Sequence, residues 1–200
     1  MTERSKETTL EAKATAVKLL YDLISQQPFF KGLNTHQLQL LTELAMEMRF
    51  EAGQKILHEG SPANRFFLIL EGKVMLESEL AEHGAIPIQT VGDGDALGWS
   101  WLFPPYVLHS SARAIEPTRT IFFYGTRLRE YCEVDHDLGY QLMQRVAEVL
   151  IQRLHGTRQR LIERTVKKQT LQSGYTVSTQ DPLIVSPKPS RQASTLGRMR

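Results

Sequence analysis

The chain has 200 residues, 41% of them hydrophobic and 23% charged, with a formal net charge of +2. That length suits one compact domain with short arms, and the composition excludes collagen-like, rod-like and wholly disordered chains. A single cysteine, Cys132, excludes an internal disulfide framework and a four-cysteine metal site within one chain.

No run approaches the roughly 18 apolar residues of a membrane-spanning helix, so no membrane insertion is expected. The opening MTERSKETTLEAKATA is polar and of mixed charge, unlike a secretory leader, and the expected compartment is cytoplasmic. Charge is unevenly spread. From Arg164 onward, Arg164, Lys167, Lys168, Lys188, Arg191, Arg198 and Arg200 face one acid, Asp181, a net of +6 that leaves −4 for residues 1–163. An acidic body with a basic C-terminal segment is not the pattern of a DNA-binding domain, whose positive charge sits on a folded surface matched to phosphate.

In chain order, residues 1–9 are expected to be flexible. Residues 10–27 place Leu10, Ala14, Val17, Leu20 or Tyr21 and Ile24 on one helical stripe that Pro28 stops. A second helix fits residues 35–46, with Leu38, Leu41 and Ala45 inward and Asn34 or Thr35 as its cap. From Met48 the rhythm changes to short Ile, Leu, Val and Phe runs between glycine-rich turns. This predicts antiparallel strands near residues 54–58, 65–70, 73–80, 86–91, 110–115 and 118–124. After Gly125 a short helix reaches Cys132, and a long one of roughly 45 Å is predicted over residues 136–164. Gly139 and Gly156 are its weak points.

On that helix Met143, Ala147, Leu150, Leu154, Thr157 and Leu161 step by 4, 3, 4, 3 and 4, a heptad seam. Leu142, Val146 and Val149 form a second apolar edge suited to packing on the β structure. Two apolar faces imply one for the domain and one for a partner copy, so a homodimer is expected; wholly intramolecular packing is the alternative. Residues 165–200 hold Pro182, Pro187 and Pro189 among Ser, Thr, Gln and Lys and read as a disordered basic tail. It serves either as a solubilising arm or as a lure for an acidic protein partner.

The segment Phe50 to Val74, FEAGQKILHEGSPANRFFLILEGKV, carries Phe50, Gly53, Ile56, Gly60, Asn64, Phe66 to Ile69 and Gly72. With the Gly92 to Gly98 turn, Ala112, Ala114 and the long helix after Asp135, this series resembles the β-roll signature of cyclic nucleotide-binding domains such as the catabolite activator protein. The resemblance covers about residues 20–164. It implies an α+β fold: an antiparallel jelly-roll-like β-roll with N-terminal helices and a long C-terminal dimerisation helix, the whole domain occupying residues 10–164.

In ligand-binding members the turn at the position of Gly98 is a phosphate-binding cassette, with a glutamate after the glycine for the ribose hydroxyl and an arginine for the phosphate. Here GWSWLFPPYVLHSSARA places Trp99 at the glutamate position and Leu108 at the arginine position, and the stretch is one residue short. Losing a buried arginine–phosphate pair weakens binding by about thirtyfold or more, which argues against tight cyclic AMP binding by the usual contacts. The candidate pocket residues are Gly98, Trp99, Ser100, Trp101, Leu108, His109, Ser110 and Ser111. Either the two tryptophans line a pocket turned apolar, or they fill it with protein. Arg113, alternating with Ala112 and Ala114, is expected to point away from whatever the alanines face.

Cys132 and His136, four apart and flanked by Glu133 and Asp135, have the spacing of half a metal site; Asp135 as a helix cap and Cys132 as a small buried hydrophobe account for the same residues, and no metal or other cofactor is expected. No GxSxG elbow, Walker loop or paired-carboxylate motif is present, so no catalysis is expected. The residues after Arg164 are too few and too polar for the winged helix-turn-helix of the family's transcription factors, so this chain alone is not expected to read DNA sequence. The expected function is a regulatory or sensory module working through protein contacts; the alternative is a small-molecule receptor with an altered pocket.

Overall fold

The computed structural model describes residues 3–172, with side chains over 11–169. The chain divides into two units, Met1–Gln159 and Arg160–Arg200. In the first unit α1 (Glu3–Ser25) precedes a 3-10 turn, Pro28–Phe30, and α2 (Thr35–Leu44). Eight strands follow: β1 (Ala45–Phe50), β2 (Lys55–Leu57), β3 (Arg65–Glu71), β4 (Val74–Leu80), β5 (Gly84–Val91), β6 (Ala96–Leu97), β7 (Ser111–Ala114) and β8 (Thr118–Tyr124). A 3-10 turn, Trp99–Leu102, lies between β6 and β7, and α3 (Gly125–Val134) and α4 (His136–Gln172) complete the order. Arg160–Gln172, the described part of the second unit, is the C-terminal portion of α4.

All strand pairs are antiparallel, in two four-stranded sheets ordered β1-β8-β3-β6 and β2-β7-β4-β5. This is the β-roll that the sequence predicts. At its centre β3 and β8 pair Phe66 with Phe123 and Phe67 with Phe122. Successive residues of a strand point to opposite faces, so two consecutive buried phenylalanines require cover on both sides. On one face Phe66 meets Phe29 at 5.5 Å, Phe123 at 5.7 Å and Trp101 at 6.0 Å between ring centroids. On the other face Phe67 meets Phe122 at 5.2 Å and Phe50 at 5.8 Å.

Several boundaries differ from expectation. The helix expected over residues 10–27 begins at Glu3 and ends at Ser25, because residues 3–9 contain neither Gly nor Pro and include the good helix formers Glu3, Arg4, Lys6 and Glu7. The expected flexible residues 1–9 are thus helical from Glu3. Residues 45 and 46, expected to be helical, open the unforeseen strand β1, the chain turning extended at Ala45 (φ −96°, ψ 152°). The long helix continues past Arg164 to Gln172, since no Gly or Pro interrupts it before Gly174. The rest of the expected disordered tail, 173–200, lies outside the described residues. Gly139 is no weak point: a Cβ there would stand 3.1 Å from that of Cys132, and hydrogen in its place lets α4 approach α3 closely.

A polar link fixes the two ends of the helical layer. Asn34 caps α2, its Oδ1 accepting from Gln37 N at 2.9 Å while Gln37 Oε1 accepts from Asn34 N at 3.1 Å, a reciprocal capping box. The buried Gln37 also donates Nε2 to Asp135 Oδ2 at 3.2 Å, and Asp135 Oδ1 accepts from Leu138 N at 2.9 Å, capping α4. These bonds, led by the one from Leu138, hold the Asp135 carboxyl below its usual range. From there Leu138, Leu142 and Val146 are fully buried, and Val149 is half-buried. The inward edge of α4 therefore packs on the domain as expected. Gln37→Ala removes both side-chain bonds and leaves the Asn34 amide open, and a loss of about 1.5–3 kcal/mol is expected in urea unfolding, against little change for the exposed neighbour in Gln39→Ala.

Candidate functional site

The cassette begins where β6 meets β3. Gly98 has φ 74° and ψ 23°, a left-handed conformation, and a Cβ there would run into the carbonyl oxygen of Arg65; only glycine serves. The chain then makes the 3-10 turn Trp99–Leu102. The following loop is pinned from three sides. Arg129 lies over the Tyr106 ring at 4.2 Å and donates Nη1 to Trp101 O at 2.8 Å. Ala63 N donates to Tyr106 O at 2.7 Å. Leu108 N donates to Ser61 O, and Gly60 N to Leu108 O, both at 2.9 Å.

These contacts close the β-roll over a cavity of about 20 Å³, lined by Gly98, Trp99, Ser100, Leu108, His109 and Ser110 together with Leu57, Leu76, Leu97, Ala112 and Arg153. Such a volume holds about one water-sized body. Six of the eight candidate residues thus meet around one space. Leu108, at the position implied for the phosphate-reading arginine, is buried. Trp99, at the position implied for the ribose-reading glutamate, is half-buried and stacks on exposed His109, centroids 6.0 Å apart and planes at 30°. Among the described residues no acidic side chain lines the cavity.

The other two candidates do not line it. Trp101 is 1% exposed and packs on Phe66 in the core, so the expectation of two tryptophans at one site is corrected: Trp99 is at the cavity and Trp101 beneath the cassette. At three residues per turn, the 3-10 turn sets Trp99 and Trp101 about 120° apart, so they face different surroundings. Ser111, fully buried at the start of β7, accepts from Glu59 N at 3.0 Å and donates to Glu79 Oε1 at 3.2 Å, which places it in the strand network. Arg113 points away from the alanines as expected, donating Nε to Glu77 at 3.1 Å and Nη1 to Gly53 O at 3.0 Å.

The residue that sequence reasoning missed is Arg153. It follows Leu142, Val146 and Val149 in steps of 4, 3 and 4, so an arginine on the inward apolar edge of α4 was the available signal. Its Nη2 donates to Ala96 O, and its buried Nε has no hydrogen-bond partner among the described residues. Burial pushes its pKa down, opposed by the charge of Asp95. The Cys132 thiol is pushed up to about 11, chiefly by burial, so it stays protonated and packs as a hydrophobe. Among the described residues no cluster of three or more His, Cys, Asp and Glu side chains is placed to hold a metal, and no helix is long and apolar enough to cross a membrane.

The contrast between the tryptophans is measurable. Trp101→Ala is expected to cost about 3–5 kcal/mol in chemical unfolding. Trp101→Phe, which also removes the unpartnered buried Nε1, is expected to stay within about 1.5 kcal/mol of the parent.

The model of the family "Cyclic nucleotide-binding domain" matches residues 47–135. A crystal structure described as a cyclic nucleotide-binding protein from Geobacter metallireducens GS-15 is 36% identical, with a TM-score of 0.60, and the match covers 64% of this chain and 93% of that one. A "CRP-like cAMP-activated global transcriptional regulator" of Mycobacterium tuberculosis is 25% identical over 167 residues, spanning 80% of this chain and 73% of the relative. The fold alone is shared with a cyclic nucleotide-binding domain from Methylobacillus flagellatus KT, 19% identical with a TM-score of 0.61, which covers 74% of this chain and 83% of that one. On the strength of the β-roll, the cassette and the Geobacter relative, this chain belongs to the cyclic nucleotide-binding domain family.

Proposed function

We propose that this chain is a non-catalytic regulatory module that works through protein contacts and does not bind cyclic AMP or cyclic GMP tightly. The observation that carries the reading is the cassette cavity: about 20 Å³, bounded by Leu108 and Trp99 where the family has arginine and glutamate, and without an acidic lining residue. A cyclic nucleotide finds neither room nor its two charged contacts there. The regulatory role is supported by the relative that is a transcriptional regulator. Calorimetric titration with cyclic AMP and cyclic GMP is expected to give no binding in the low micromolar range; a dissociation constant at or below that range overturns the reading.

The contact surface is the outward seam of α4, through which we place a homodimer. Met143 is 47%, Leu154 66% and Leu161 65% exposed, while Leu142 and Val146 on the inward edge are buried. Ala147 and Thr157 are exposed on the same seam, and Leu150 is half-buried at its margin. Large aliphatic groups repeated at heptad spacing on a solvated helix suit knobs-into-holes pairing with a second copy. Light scattering is expected to give twice the chain mass, with Leu154→Asp reducing it to the monomer; a concentration-independent monomer rejects the pairing.

A further inference from the structure

Three strand ends bring one set of side chains to a common face. The β1–β8–β3 register sets Met46, Phe122 and Phe67 in one row and Arg65 opposite Tyr124 in the next. Residues two apart along a strand share a face, so Met48 and Phe50 join from β1. This face, with Lys55 and Ile56 of β2, lines a cleft of about 290 Å³ that shares no lining residue with the cassette cavity. Its floor is the buried pair Phe67 and Phe122, ring centroids 5.2 Å apart, and Tyr124 stands 4.7 Å from Phe122. Met46, Arg65 and Tyr124 are exposed at its rim. The two cations differ. Lys55 is paired with Glu79, whereas the Arg65 guanidinium has no hydrogen-bond or ion-pair partner among the described residues. Among those residues no acidic side chain lines the cleft.

We propose that this cleft binds a small aromatic monocarboxylate, its ring against Met46, Met48 and the phenylalanines and its carboxylate on Arg65. The volume lies at the lower end of the roughly 300–1,000 Å³ of small-molecule pockets, which suits one ring system with a short acidic arm. Methionine sulfurs and aromatic edges favour a ring over an aliphatic chain. With Lys55 neutralised by Glu79, one net positive charge remains for one carboxylate, and the guanidinium fork matches its two oxygens. The site goes beyond the regulatory reading, in which no small molecule figures, and does not depend on it.

The test is NMR on the full chain carrying ¹³C-methyl methionine, titrated with indole-3-acetate, indole-3-acetamide and octanoate. Indole-3-acetate is expected to move the Met46 and Met48 methyl signals saturably and to leave those of Met75 and Met143 in place. It is expected to bind about fivefold or more tighter than the amide, and Arg65→Gln to abolish that preference. Should Arg65→Gln fail to fold, added sodium chloride decides on the parent chain, where it is expected to shrink the preference for the acid over the amide. Unmoved Met46 and Met48 methyls, shifts spread equally over all four methionines, or octanoate binding as tightly as indole-3-acetate overturns the proposal. So does a preference for the acid that is absent from the parent, survives in folded Arg65→Gln, or ignores salt. Cyclic nucleotide titration and light scattering report separately, so failure here is distinct from failure of the regulatory reading.

Discussion

Everything in the first unit is built around the two-sided burial of the β3–β8 ladder. Because Phe66 and Phe123 project to one face and Phe67 and Phe122 to the other, neither face can stand in water. One face demands the Pro28–Phe30 turn and Trp101; the other demands Phe50 on β1 and the second sheet. A pair of dipeptides thereby dictates that helices and a second sheet flank the first. Fully burying each aromatic ring contributes about 1.5–3 kcal/mol, so the ladder outweighs the exposed ion pairs of the sheets, such as Lys73 with Glu116.

The cassette inherits its shape from that core. Trp101 is drawn into the aromatic cluster, and the 3-10 turn that buries it directs Trp99 the other way, toward the cavity. Arg129 then secures the loop by two means, a cation over Tyr106 and a bond to the Trp101 carbonyl. Packing shapes the cassette as well: Leu108, at the position that the resemblance implies for an arginine, is buried.

Legibility in the sequence followed the strength of the local signal. The runs Phe66–Leu70 and Ile121–Phe123 are apolar without alternation and bounded by turn residues, which marks strands covered on both faces. The Asn34 cap and the Asp135 cap were legible as side chains suited to open amides. β1 was not, because no glycine or proline marks the junction where α2 ends at Leu44 and the strand opens at Ala45, and its alternation begins within what reads as a helical tail. β6, two residues long, is shorter than any pattern. Trp101 and Ser111 were grouped with the pocket by sequence proximity, whereas a 3-10 turn spreads its side chains around three directions and a strand alternates its faces. Arg153 joins the cavity from a distant helix, through a period that was read as apolar and stopped one step early.

The two indoles have a spectroscopic consequence. With one sealed in hydrocarbon and one half-exposed beside an imidazole, the intrinsic emission of the protein is a sum of a blue component from Trp101 and a redder component from Trp99. The imidazole of His109 lies against only the second of these rings. An aqueous quencher likewise reaches Trp99 first, so the red edge of the spectrum reports on the rim of the β-roll while the blue edge reports on its core, in one sample and without a label.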